Sequence, residues 1–226
     1  MGSGRRILFI SFEGGEGSGK TTQISLLAER LRLAGRAPLV VREPGSTPLG
    51  EYLRQWLKSQ PGTTPLAELY MFEAARAQLV ADVVLPALAR GEVVIADRFT
   101  DSTVAYQGYG RGLDVEHIRS LNRHATQGRS PDVTFFLDMP IEEALRRVSA
   151  SAAPPLFAFE DADSPDARRA REGTRFEEEA LEFHHRVREG YLEIARQEAD
   201  RVVVLDGRAS REALAERVWG EVSGRL

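Results

Sequence analysis

The chain has 226 residues, is 42% hydrophobic and 28% charged, and carries a formal net charge of −4. That length fits one large α/β domain or two small ones, with room for a substantial core. The small negative charge gives no reason to expect nucleic-acid binding, and the absence of cysteine excludes disulfides, thiolate metal sites and thiol catalysis.

Strand and helix signals alternate along the chain. "RILFISF" (6–12) is a short apolar run, followed by a glycine-rich loop. Ile24, Leu27, Ala28 and Leu31 then recur at helical spacing. "APLVV" (37–41), "VVIAD" (93–97), "VTFFLD" (133–138) and "RVVVLD" (201–206) are further strands, each beyond at least one helical pattern. Near-continuous apolar strands imply a sheet covered on both faces. Strands alternating with helices imply a parallel, doubly wound sheet, here with five strands. Several strands end in Asp or a glycine loop, so polar groups collect at the edge where such sheets bind ligands. There is no internal repeat and no clean domain boundary, so a single domain over residues 1–226 is expected. One segment, about 149–174, breaks the pattern with small residues, prolines and mixed charges; it reads as a flexible excursion. No apolar run could span a bilayer and "MGSGRR" lacks the core of a signal peptide, so a cytoplasmic location is the default, without a membrane partner.

The loop "FEGGEGSGKTT" spans Phe12 to Thr22 and contains Lys20, one of only two lysines. Gly14, Gly19, Lys20 and Thr21 fit G-x-x-x-x-G-K-[ST], with a strand before and a helix after. Glycines let successive N–H groups turn inward towards phosphate oxygens, and the helix start adds its positive dipole end. The Lys20 ammonium would reach the β/γ-phosphates and the Thr21 hydroxyl would ligate Mg²⁺. A merely tight packing turn would not need this lysine. The motif narrows function to users of nucleoside triphosphates, so the second substrate must be sought elsewhere.

Three later patches are candidates. Arg42 and Glu43 end the second strand within "REPGSTPLGEYLR" (42–54), which could equally be a surface turn. In "LAELYMFEAARAQLVADVV" (66–84), Phe72 and Arg76 lie one helical turn apart on an apolar face. That pairing suits a stacked nucleobase, yet spacing alone favours core packing with Arg76 reaching solvent. In "ADRFTDSTVAYQGYGRGLD" (96–114), Asp97 ends a strand like a Walker-B acid, and Arg98 can clamp a phosphate. Ser102 with Tyr106, and Thr103 with Gln107, each lie one turn apart.

Taken together, "FEGGEGSGKTT", "REPGSTPLGE", "MFEAARAQ", "DRFTDSTVAYQGYGRGL" and "TRFEEEALEFHHRVREGYLEIA" resemble the successive motifs of bacterial thymidylate kinases, in order and over nearly the whole chain. The resemblance implies a P-loop NTPase-type three-layer α/β/α fold with a small lid. It implies phosphoryl transfer from ATP to dTMP, giving dTDP for dTTP biosynthesis, with Mg²⁺, in a homodimer. ATP would lie on Gly14, Gly15, Glu16, Gly17, Ser18, Gly19, Lys20, Thr21 and Thr22, with Thr21 and Asp97 at the metal. Glu16 resembles the acid at the deoxyribose 3′-hydroxyl. Arg98 resembles the arginine on the acceptor phosphate, with Glu43 and Arg54 near it. Phe72 resembles the ring that stacks on thymine, and Arg76 the donor to the base carbonyl. Thr103 and Gln107, beside Ser102, would line the base edge, and Tyr106 would exclude a ribose 2′-hydroxyl. The loop interior holds no basic residue, so lid arginines would neutralise the transition state. Arg168, Arg169, Arg171 and Arg175 are candidates, with Arg168 and Arg171 favoured. Two departures stand out: Ser46 occupies the place of a second glycine, and "AAPPLFAFEDADSPD" lengthens the lid. The rival readings are a kinase of the same fold for another nucleoside monophosphate or a deoxynucleoside, and a nucleotide-binding regulator without turnover.

Overall fold

The computed structural model describes residues 7–59, 62–149 and 175–226. Five parallel strands form one sheet in the order β2-β3-β1-β4-β5. They are β1 (Phe9–Glu13), β2 (Pro38–Arg42), β3 (Val93–Asp97), β4 (Val133–Asp138) and β5 (Val202–Asp206). All five expected strands are present. β1 starts later than its apolar run and reaches one residue further, so it ends in a buried acid, Glu13.

Alternate residues of the strands serve opposite layers. Ile10, Phe12, Ile95, Phe135 and Leu137 pack with α1 (Lys20–Leu33) and the C-terminal helix Arg211–Ser223. Phe9, Val94 and Ala96 pack with the other layer, where Leu79, Val84 and Ala87 approach them. The helices between are α2 (Pro48–Ser59), α3 (Pro65–Leu79), α4 (Leu85–Ala89), α5 (Thr100–Thr103), α6 (Val115–Ala125), α7 (Ile141–Ser149) and α8 (Arg175–Gln197); the C-terminal one is α9. No helix among the described residues is long and apolar enough to cross a membrane.

Two helices widen where periodicity gave no sign of it. A π-helical turn, Val80–Val84, joins α3 to α4, and α5 continues as a π-helix over Val104–Gly110. The wider turn brings both Tyr106 and Gln107 inward, at 1% exposure each. α8 packs directly on this segment through two glycines. A Cβ on Gly110 would stand 2.7 Å from the Phe183 ring, and one on Gly190 2.8 Å from the Tyr109 side chain. α8 is thereby held against the π-helical segment Val104–Gly110.

Gly190→Ala is therefore expected to lose about 1–3 kcal/mol of stability through overpacking, although alanine is the better helix former. Urea unfolding measures it. A midpoint equal to or above the parent's would mean that Tyr109 yields freely and that the close approach is not a constraint.

Candidate active site

The glycine loop wraps the start of α1. Gly14 has φ +134°, and a Cβ there would lie 2.7 Å from the Leu137 carbonyl oxygen, so only glycine fits. Gly19, with φ +97°, delivers the chain into the helix. Lys20 is 8% exposed and its Nζ donates to the carbonyls of Gly14 (3.0 Å) and Gly15 (2.7 Å). Burial and the Arg98 charge push its ammonium down to about 7 against the pull of Asp97, Glu13 and Glu16. Ser18 also donates to the Gly15 carbonyl, at 2.9 Å. Glu16 is half-buried, and its charge acts on Tyr106 and His184. Thr22 is exposed.

The Thr21 hydroxyl lies 3.4 Å from Asp97 Oδ2, across the gap between α1 and the end of β3. Two hard oxygens so placed fit Mg²⁺. No cluster of three or more His, Cys, Asp or Glu suited to a metal exists among the described residues. The protein's share of such a site is thus partial, and phosphate oxygens would complete it.

Sheet register brings the remaining groups together. Phe12 pairs with Asp97, and Asp97 with Arg42, so Glu13, Glu43 and Arg98 leave three adjacent strands at one edge. Arg98 stands in the left-handed region at φ +71°, and its guanidinium lies 5.0 Å from the Tyr106 ring centre. It is 7% exposed, yet no carboxylate among the described residues lies within ion-pair distance. Its contacts are long and neutral: Ser102 and Tyr191 at 3.4 Å and Tyr106 at 3.3 Å, all hydroxyls. A buried guanidinium is stable only with anionic company, so this arrangement suits a phosphate.

Arg76 is the opposite case. At 1% exposure it donates from Nε and Nη2 to Glu43 Oε2 (2.9 and 2.6 Å) and from Nη1 to Glu73 (3.0 Å) and Asn122 (2.5 Å). Nη2 also reaches the Phe99 carbonyl (3.2 Å) and Thr103 (2.8 Å). The seam arginine neither reaches solvent nor lacks partners, so the core-packing reading with a solvated head does not hold. Phe72 is 6% exposed on the same helix. Gln107 donates to Glu68 at 2.6 Å, and Glu68 also binds Arg111. Arg54 donates to the Pro44 carbonyl at 3.2 Å.

Ser46 takes φ +62°, the conformation a glycine would adopt easily. Its hydroxyl accepts from the Arg42 amide and its own amide donates to Glu51, each at 2.9 Å, which holds the turn without glycine. Of the lid candidates, Arg168, Arg169 and Arg171 lie outside the described residues. Arg175 opens α8, and its side chain lies outside them too.

Sequence reasoning passed over Glu13, Glu73, Asn122 and Tyr191. Glu13 had a signal, an acid completing an apolar strand. Tyr191 had a weaker one, helical spacing with Phe183, Val187 and Ile194. Asn122 had none.

Arg76→Ala strands Glu43 and Glu73 in the interior and is expected to lose about 3–5 kcal/mol. Denaturant unfolding at neutral pH checks this. A loss below about 1 kcal/mol would show that the two acids find other partners or water.

Comparison with known proteins agrees with this geometry. The family model described as "Thymidylate kinase" matches residues 12–218. The chain is 48% identical over 219 residues to a thymidylate kinase of Synechococcus sp. (strain JA-2-3B'a(2-13)), covering 97% of this chain and 96% of that one. It is 46% identical over 215 residues to one from Thermomicrobium roseum, covering 95% and 94%. The crystal structure of thymidylate kinase from Ehrlichia chaffeensis superposes with a TM-score of 0.72 at 32% identity, covering 96% of this chain and 98% of that one. The five-stranded parallel sheet, the loop around Lys20 and a match along nearly the whole chain agree, and the chain belongs to the thymidylate kinase family.

Proposed function

We propose the following division of labour for a chain that phosphorylates dTMP to dTDP with ATP. The loop Gly14–Thr22 holds the ATP phosphates through backbone N–H groups, and Lys20 leaves the Gly14 and Gly15 carbonyls for the β/γ-oxygens. Thr21 and Asp97 hold Mg²⁺, which supplies charge neutralisation and alignment of the phosphates when bound. Arg98 binds the acceptor phosphate, with Arg54 at its approach. That phosphate is largely ionised at pH 7, so its oxygen attacks the γ-phosphorus with no general base. Catalysis is then mainly alignment and charge neutralisation. Lid arginines, with Arg168 and Arg171 foremost, add positive charge from residues about 149–174 of what we take to be one domain.

On the acceptor side, thymine stacks on Phe72 and lies along Thr103 and Gln107, with Ser102 below. Arg76 turns one N–H from its protein partners to the base carbonyl, while Glu43 keeps the guanidinium in place. Tyr106 fills the space a ribose 2′-hydroxyl would need, and Glu16 takes the 3′-hydroxyl. The observation that carries the acceptor assignment is Arg98, a buried guanidinium whose side-chain hydrogen-bond partners among the described residues are neutral hydroxyls, at the carboxyl edge of the sheet. We take the enzyme to work in the cytoplasm.

Coupled ADP release with ATP, Mg²⁺ and a panel of dTMP, dUMP, dCMP, UMP, AMP, GMP and thymidine tests this. Release fastest with dTMP and weak with UMP is expected. Preference for a ribonucleotide or a purine would discard the pocket assignment, and binding of ATP without release would revive the regulator.

A homodimer is the second element of the proposal. Tyr52 and Trp56, one turn apart on α2, are 61% and 41% exposed, and Leu66 and Tyr70 on the neighbouring α3 are 47% and 49% exposed. Such apolar area on adjacent helices fits a second copy. Sedimentation should give a dimer, and Tyr52→Glu with Trp56→Glu should give a monomer. A monomeric parent, or an unchanged dimer in the double variant, counts against this surface.

A further inference from the structure

Glu13 is fully buried, and its carboxylate accepts three hydrogen bonds, two from the start of α5 and one from α8. Oε1 accepts from the Phe99 amide at 2.7 Å. Oε2 accepts from the Ser102 hydroxyl at 2.6 Å and the Tyr191 hydroxyl at 2.9 Å. The two hydroxyls are 3.0 Å apart, and each lies 3.4 Å from Arg98 Nη1. A buried acid and a buried arginine this close would ordinarily form an ion pair. Here two hydroxyls stand between them. Each gives its proton to Glu13 and presents its lone pairs to the guanidinium.

This has two consequences. The carboxylate steadies the Arg98 charge at one remove and leaves its donors on long bonds to neutral hydroxyls, which an anion can displace. The Phe99 amide bond also fixes the peptide that follows the left-handed Arg98, a conformation that costs energy unless its surroundings hold it. Burial and Asp101 push Glu13 up to about 7, against Ser102, Arg98 and the Phe99 amide. It is therefore a costly group to keep in the interior.

We infer that Glu13 and Tyr191 are positioning residues for phosphoryl acceptance, aiming Arg98 at the acceptor phosphate through two bridging hydroxyls and the Phe99 amide. The inference rests on Arg98 being the acceptor-phosphate arginine. Tyr191 belongs to α8, so the helix that follows the lid segment takes part in setting this aim.

Steady-state kinetics of Tyr191→Phe, Glu13→Gln, Arg98→Ala and the double variant Tyr191→Phe/Arg98→Ala test it, with dTMP and ATP varied separately and unfolding followed in parallel. Tyr191→Phe keeps the ring and its stacking on Phe136, so its fold should survive even if Glu13→Gln fails to fold. Loss of a hydrogen bond to a charged group should raise its KM for dTMP roughly tenfold. KM for ATP should stay within about twofold, a change too small to reflect a lost contact. In the Arg98→Ala background the tyrosine change should add little, because the group it aims is gone. Equal changes in both KM values, an unchanged KM for dTMP, or full additivity in the double variant would overturn the positioning role. An Arg98→Ala enzyme with normal dTMP kinetics would instead refute the acceptor-phosphate reading beneath it.

Discussion

All five strands run the same way, and this one constraint decides where everything else stands. Parallel strands send their carboxyl ends to a single edge. In this sheet those ends carry Glu13, Arg42 and Glu43, Asp97 and Arg98, Asp138 and Asp206. The order β2-β3-β1-β4-β5 puts β1 in the middle, so the glycine loop leaves from the centre with Asp97 on one flank and Asp138 on the other. Below that edge the three central strands, β1, β3 and β4, are apolar and buried, while the edge strands β2 and β5 each leave a valine exposed, Val40 and Val204. The chemistry sits where the apolar interior stops.

The site then divides by how its cations are satisfied. Lys20 rests on two loop carbonyls, weak partners that a triphosphate can replace. Arg98 has neutral hydroxyls and an aromatic ring around it. Arg76 has all its donors engaged by acids, an amide, a carbonyl and a hydroxyl. The first two are charges held ready for anions. The third is a structural centre that ties the residue after β2 to α3, α5 and α6. An arginine suits each task because its planar fork offers five donors and never loses its charge.

Much of this was readable in the sequence. The loop carries its own local logic, glycines where φ must be positive and a lysine where a point charge is needed, so one short stretch sufficed to recognise it. The strands were equally legible, since their apolar runs are of strand length and rich in Val, Ile and Phe, which separates them from buried helix segments. The environment of Arg76 was not. Periodicity put it on an apolar seam, but Glu43 is 33 residues away and Asn122 is 46 away. The same holds for Glu13, whose partner Tyr191 lies 178 residues along the chain. Partnerships over such separations leave no trace in local spacing. The π-helical widening after Thr103 was hidden in the same way. It lies where the segment packs against α8, a contact between residues far apart in the chain.

The saturation of Arg76 also bears on how such an enzyme could change its substrate. Glu43, Glu73, Asn122 and Thr103 each answer a donor of one guanidinium, so replacing any of them alone leaves a buried polar group unmatched. If this cluster reads the base as proposed, a pocket rebuilt for a different one would need several of these positions exchanged at once, through intermediate sequences of lower stability. On the proposed reading of Arg76 as a donor to the base, that preference would be protected by the folding requirement itself, and a programme of laboratory evolution would have to begin from a stabilised parent or alter these residues as a block.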